Sequence, residues 1–166
     1  SGFNSAKTPN RPDPVTRPAD YLQQLFSLEG LPVVVIGGTG VLGGALCDGL
    51  ARAGAPVVVA GRNEQRGKER VEAIREAGGQ AAYVEVDAAS RKSVDALRQR
   101  AEETFGPIYG LVNCVGVNAA TPYLEISDDD FRRVIDANLF STHLASQVFG
   151  RALVEAGRGA ILNIGS

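Results

Sequence analysis

The chain of 166 residues is organised around one segment, Val33-Val34-Val35-Ile36-Gly37-Gly38-Thr39-Gly40-Val41-Leu42-Gly43-Gly44. Its first four residues close an apolar run from Leu31 to Ile36, and such a run predicts a strand that is buried on both faces. After the glycines, apolar residues recur at helical spacing up to Ala53, and Gly54 is a typical helix end. The segment therefore predicts a buried strand that passes into a helix through a turn of glycines.

The same alternation continues to the end of the chain. Apolar runs predict further strands at residues 57–60, 81–86, 108–112 and 160–164, and helices are predicted between them at about residues 64–77, 94–105 and 127–155. Alternating strands and helices indicate βαβ units with a parallel sheet and right-handed crossovers. We therefore expect the α/β class, with a doubly wound Rossmann-type sheet in three α/β/α layers that is truncated after the fifth strand.

Two regions are predicted along the chain. Residues 1–19 contain four prolines among polar residues, which predicts an extended N-terminal arm. Residues 20–166 form one Rossmann domain, incomplete at its C-terminus, and Asp20 is the expected N-cap of a short first helix.

Composition excludes several classes of function. The net charge is −2 and the basic residues form no dense run, so no nucleic-acid partner is expected. No apolar run approaches the ~20 residues of a membrane-spanning helix. Cys47 and Cys114 form no CxxC motif, which favours free thiols in a reducing, cytoplasmic compartment. His143 is the lone histidine, so no metal site is expected.

The glycine turn matches the pattern GxGxxG from Gly38 to Gly43. Glycines allow the backbone to approach a pyrophosphate closely, and the N-terminus of the following helix presents free N–H groups to the phosphates. Position between a buried strand and a helix makes this pattern typical of dinucleotide binding, although a plain strand-to-helix turn is the alternative. The predicted cofactor-binding residues of the turn are Gly37, Gly38, Thr39, Gly40, Val41, Leu42 and Gly43.

The end of the second strand bears on the choice of cofactor. Dinucleotide folds that use NAD(H) place a carboxylate here, on the ribose 2′-hydroxyl. This chain has Arg62 and Asn63 instead, and a guanidinium suits a 2′-phosphate, so NADP(H) is favoured over NAD(H). A solvated loop charge is the alternative for Arg62, and the nearby Glu64 keeps NAD(H) open.

From about residue 28 to residue 166 the chain resembles the short-chain dehydrogenase/reductase family. The turn is similar to the family's TGxxxGxG motif, from which Ile36 and Val41 depart. The string Gly40-Val41-Leu42-Gly43-Gly44 is also similar to a subset that includes sugar-acid (mannonate-type) oxidoreductases.

The resemblance implies further cofactor contacts at two strand ends. Asp87, followed by Ala88, stands where the family binds the adenine amino group, although a loop cap is the alternative for this carboxylate. The segment Asn113-Cys114-Val115-Gly116 is similar to the family's NNAG motif. Its Asn113, Val115 and Gly116 are expected to line the adenosine ribose or to steady the sheet.

Two residues are expected to be catalytic. Asn138 lies on an apolar stripe of the long helix, where a polar side chain needs a hydrogen-bonding partner. A bond to a neighbouring carbonyl is one explanation, and the resemblance implies the family's active-site asparagine. Ser166, in Asn163-Ile164-Gly165-Ser166, stands where the family has its catalytic serine.

The resemblance implies hydride transfer between a nicotinamide and a carbonyl or secondary alcohol of a small molecule. The family's tyrosine and lysine, four residues apart, follow its serine, and no tyrosine of this chain has a lysine at that spacing. We therefore expect an inactive piece of an enzyme that is a homo-dimer or tetramer at full length. The alternative is a non-catalytic dinucleotide-binding or regulatory module that ends naturally at Ser166.

Overall fold

The computed structural model describes residues 18–165, so most of the predicted arm and Ser166 lie outside the described residues. In chain order the elements are α1 Pro18–Phe26, β1 Val33–Ile36, α2 Val41–Arg52, β2 Val57–Gly61, α3 Glu64–Glu76, β3 Ala81–Glu85, α4 Arg91–Phe105, β4 Gly110–Asn113, a 3-10 turn Tyr123–Glu125, α5 Asp128–Ile135, a π-helical turn Asp136–Phe140, α6 Ser141–Glu155 and β5 Ala160–Asn163. The predicted order of strands and helices is confirmed.

The five strands form one parallel sheet in the order β3-β2-β1-β4-β5. From β1 the chain continues to β2 and β3 on one side of the sheet. It then returns to the centre, so that β4 lies next to β1 and β5 follows on the other side. In doubly wound sheets a crevice opens at the carboxyl ends of the strands at this reversal, and ligands bind there. The predicted fold class is confirmed.

Alternate residues of the strands enter two separate cores. Val34, Val58 and Phe149 belong to a core that α4 and α6 cover on one face of the sheet. Val35 and Val59 belong to the other core, which α2 and α3 cover. Because the central strands are buried on both faces, they are apolar at nearly every position and do not alternate between apolar and polar residues.

The long helical stretch differs from its prediction in two ways. Residues 128–155 are helical without a break, but a π-helical turn interrupts the α-helix at Asp136–Phe140. Only the second half of the predicted apolar stripe is buried, whereas Phe131, Ile135 and Leu139 are exposed. The physical reason is length: a helix of roughly 40 Å extends beyond strands that each span roughly 13 Å.

Smaller differences concern the ends of elements. Helix α1 already includes Asp20, so its prediction as the N-cap is wrong. Strand β4 begins at Gly110, two residues later than predicted, and β5 ends at Asn163. Within residues 18–165, none of the helices is both long and apolar enough to cross a membrane.

Candidate functional site

A cavity of about 600 Å³ opens at the carboxyl edge of the sheet, beside the reversal between β1 and β4. Backbone and side chains from the glycine turn and from the segments after β2, β3 and β4 line it, together with the π-helical turn and the first residue of α6. The lining residues used below are Gly37, Thr39, Gly40, Gly61, Arg62, Arg66, Asp87, Ala88, Val115, Gly116, Arg133 and Ser141.

Gly37 holds the glycine turn against the neighbouring strand end. Its φ of 93° lies in the left-handed region, and a Cβ there would overlap the carbonyl oxygen of Cys114. Its N–H donates to Ala60 O at 2.9 Å, and the N–H of Gly38 donates to the same oxygen at 3.0 Å. A side chain at position 37 would therefore force the turn away from β4.

Gly43 and Gly61 bring the other parts of the turn close together. A Cβ on Gly43 would overlap the carbonyl oxygen of Gly37, so the first turn of α2 packs directly on the backbone of the glycine turn. A Cβ on Gly61 would lie 2.5 Å from Thr39 Oγ1. The end of β2 thus supports the side chain of Thr39, which lines the cavity.

Helix α2 begins at the cavity with its first N–H groups available. Asn63, Ser90 and Ser127 cap the N-termini of α3, α4 and α5 with their side chains. Within the described residues, Gly40 provides no such cap for α2. An uncapped helix N-terminus carries orphan N–H donors and a positive dipole end, which together attract an anion such as a phosphate.

Positive charge collects at one side of the cavity. Arg62 follows β2 directly, and Arg66 lies in the first turn of α3. Across the described part of the chain, neither guanidinium takes part in an ion pair, whereas Arg133 pairs with Asp130 at 3.0 Å. Two exposed, unpaired guanidiniums on one wall suit a doubly charged phosphate.

Asp87 lines the cavity and also orders its own loop. One carboxylate oxygen, Oδ1, accepts a hydrogen bond from the Ala89 N–H at 3.1 Å, and the N–H of Asp87 donates to Ser93 Oγ at 3.0 Å. The structure therefore supports the loop-cap alternative for Asp87. The residue also faces the cavity, and its contact with adenine stays a prediction.

Asn113 is buried and is not part of the cavity wall. Its Nδ2 donates to Asn163 Oδ1 at 2.8 Å and to Ser146 Oγ at 3.1 Å. These bonds join β4 to β5 and α6, so the structure supports the sheet-steadying alternative for this residue.

Asn138 lies in the π-helical turn and is exposed, which corrects the expectation that it faces the core. Its Oδ1 accepts from the Val117 N–H at 2.8 Å, and its Nδ2 donates to Val117 O at 3.0 Å. The hydroxyls of Ser141 and Thr142 donate to the carbonyls of Ala137 and Asn138 at 2.5 and 2.8 Å. The turn thereby fixes the loop that follows β4, and the Asn138 amide is satisfied by the backbone of Val117 instead of by core packing.

The structure therefore divides the predicted site residues into two groups. Those in the cavity wall are Gly37, Thr39, Gly40, Arg62, Asp87, Ala88, Val115 and Gly116. Those outside it are Gly38, Val41, Leu42, Gly43, Asn63, Asn113 and Asn138. Ser166 lies outside the described residues.

The wall also contains residues that were not predicted from the sequence, among them Arg66 and Ser141. Arg66 follows Arg62 by four positions, and recognition of Asn63 as the N-cap of α3 would have placed Arg66 in the first helical turn, beside the cavity. Ser141 follows Asn138 by three positions, which puts both residues on neighbouring turns of one helix. Either spacing was visible in the sequence.

Comparison with known proteins agrees with the geometry. Residues 32–166 match the family model of short chain dehydrogenases. The chain is 37% identical over 153 residues to the short-chain reductase protein NovJ of Streptomyces niveus, which covers 92% of this chain and 58% of the relative. It is 36% identical over 135 residues to a 3beta-hydroxysteroid dehydrogenase of Mediterraneibacter gnavus, covering 81% and 49%. The chain spans about half the length of these curated relatives.

Solved structures show the same similarity. A 7 alpha-hydroxysteroid dehydrogenase complexed with NADH and 7-oxo glycochenodeoxycholic acid has a TM-score of 0.81 and 31% identity, over 85% of this chain and 55% of that chain. An actinorhodin polyketide ketoreductase with NADPH has a TM-score of 0.78 and 28% identity, over 82% and 53%.

Proposed function

The chain belongs to the short-chain dehydrogenase/reductase family, and we propose that it holds NADP(H) for an oxidoreductase that acts on a carbonyl or secondary alcohol of a small molecule. The observation that carries this proposal is the cavity at the strand ends. There, an uncapped helix N-terminus and two unpaired arginines meet in one space.

The residues of the cavity fit the parts of a dinucleotide. The N–H groups at the start of α2 and the backbone of Gly37 and Gly40 would hold the pyrophosphate. Asp87 would accept a hydrogen bond from the adenine amino group, since its carboxylate lies in the wall. When bound, the nicotinamide supplies or accepts the hydride, and the protein positions it.

The catalytic part of the proposal rests on family membership. Ser166 would hydrogen-bond the substrate oxygen. Asn138 would act from the π-helical turn, where its side chain binds both the N–H and the carbonyl of Val117. In the proposed oxidoreductase, acid–base groups would move the proton to or from the substrate oxygen.

The preference for NADP(H) rests on Arg62 and Arg66. The similar structures include one with NADPH and one with NADH, so both cofactors are represented among them. In this chain the segment after β2 offers two guanidiniums for a 2′-phosphate. The carboxylate of the same segment, Glu64, pairs with Lys68 at 2.7 Å. The hydrogen bond from Lys68 and its positive charge lower the pKa of Glu64, so the Lys68 ammonium balances the charge of this carboxylate.

Fluorescence titration with NADPH and NADH tests the proposal on Arg62→Ala, Arg66→Ala and the double variant. Each lost charged hydrogen bond should weaken NADPH binding by about tenfold, because such bonds contribute roughly 1.5–3 kcal/mol and these are exposed to solvent. NADH affinity should change by less than about threefold on the same scale.

Arg100→Ala is the matched control, since Arg100 is an exposed arginine of α4 that is not part of the cavity wall. It should leave both affinities unchanged. Equal loss of NADPH and NADH affinity in the Arg62 and Arg66 variants would contradict the preference for NADP(H). Absence of binding of either cofactor to the unaltered protein would contradict the whole proposal.

A further inference from the structure

We infer that Tyr83, which lies outside the cavity wall, is a positioning residue for recognition of the 2′-phosphate. It contacts the chain immediately before and immediately after the segment that carries Arg62 and Arg66. The inference rests on the proposed function and extends it to the residue that sets where the two guanidiniums stand.

The first contact is at Gly61, the residue before Arg62. Tyr83 Oη donates to Gly61 O at 2.8 Å, and the N–H of Val86 donates to the same oxygen at 3.2 Å. The last peptide of β2 is therefore held by one side-chain bond from β3 and by one backbone bond from the residue that follows β3. Burial raises the pKa of Tyr83, and the carboxylates of Glu85 and Glu64 raise it further, so the hydroxyl stays protonated as a donor at neutral pH.

The second contact is at Gly67, the residue after Arg66. A Cβ on Gly67 would overlap the edge of the Tyr83 ring and lie 2.9 Å from its Cγ. The ring thus packs directly on the backbone of α3, as only glycine at this position allows. One tyrosine consequently fixes both ends of the five residues from Arg62 to Arg66.

The rest of α3 is held separately. Arg70 pairs with Asp48 of α2 at 2.5 Å, and the absence of a side chain on Gly44 leaves room for the guanidinium, which a Cβ would meet at 2.6 Å. Because this ion pair fixes α3 one turn beyond Gly67, loss of the Tyr83 hydroxyl should loosen the end of β2 and its arginine rather than release the helix.

The test is calorimetric titration of Tyr83→Phe with two adenosine ligands, adenosine 2′,5′-bisphosphate and adenosine 5′-monophosphate. The variant keeps the ring against Gly67 and removes only the bond to Gly61 O. We expect affinity for the bisphosphate to fall by about fivefold, the equivalent of one neutral hydrogen bond. Affinity for the monophosphate should stay the same, because the monophosphate lacks the group that Arg62 and Arg66 would bind.

Tyr109→Phe is the matched control, since Tyr109 lies at the opposite, amino end of the sheet, just before β4. A second measurement repeats Tyr83→Phe in the Arg62→Ala, Arg66→Ala background. If Tyr83 acts through the arginines, its effect disappears there, and this non-additivity separates positioning from a general loss of stability.

Two results would overturn the inference: an unchanged ratio of the two affinities, which includes an equal loss for both ligands, or an effect that persists without the arginines. Unaltered protein that binds both ligands equally would overturn the proposed preference for NADP(H) as well. If the unaltered protein prefers the bisphosphate and Tyr83→Phe prefers it equally, the role of Tyr83 would be overturned and the proposed function would stand.

Discussion

Replacement of Gly43 by alanine should both destabilise the domain and weaken binding of NADPH, because its Cβ would overlap the backbone of the glycine turn. The new carbon would overlap Gly37 O and lie 2.7 Å from the Gly37 carbonyl carbon. Non-bonded carbon atoms prefer about 3.5–4.0 Å, so the turn or the helix must move by about 1 Å. Overpacking of this kind costs about 1–3 kcal/mol.

Part of that cost is offset, because alanine favours a helix over glycine by about 0.8–1.0 kcal/mol. The expected net loss is therefore up to about 2 kcal/mol in the free energy of unfolding, measured by urea denaturation. Displacement of the turn should also misplace at least one N–H that would bind the pyrophosphate. The loss of one charge-assisted bond should weaken NADPH binding by about tenfold in a fluorescence titration.

Gly49→Ala provides the control within the same helix. A Cβ on Gly49 would meet nothing within 4 Å, so only the helix propensity changes and stability should rise by about 0.5–1 kcal/mol. NADPH affinity should not change. A Gly43→Ala protein that matched Gly49→Ala in both stability and affinity would refute the reasoning from close packing at the turn.

Two further predictions concern buried groups. Asn113→Ala should lower the free energy of unfolding by about 1–3 kcal/mol in urea denaturation, because Asn163 Oδ1 and Ser146 Oγ lose the Nδ2 donor of Asn113. Stability equal to the unaltered protein would contradict the assigned role. Burial raises the pKa of Cys47 to about 12, above that of an unfolded thiol near ~8.5. The corresponding stability should be complete below about pH 8.5 and be lost as pH rises towards 12; a Cys47→Ala variant with the same pH dependence in this range would count against it.

Local patterns in the sequence were sufficient for the framework of the molecule. The apolar run before Gly37 is buried on both faces as predicted, because a central parallel strand has cores on either side. The glycine turn, Arg62, Asp87 and Val115 all meet at one cavity, since the carboxyl ends of parallel strands share one edge. These predictions succeeded because each depends on neighbouring residues and on a fixed direction of the strands.

Contacts between distant residues were beyond such patterns. The helical period predicted that Asn138 lies on a buried face. The helix is longer than the strands and contains a π-helical turn, and there the Asn138 side chain binds Val117. Likewise, nothing in the spacing of Tyr83 shows that its hydroxyl meets Gly61 and its ring meets Gly67. The glycine turn and the alternation of strands and helices follow from chemistry along the chain. The position of the arginines depends on packing between β2, β3 and α3, which exists only once the sheet has formed.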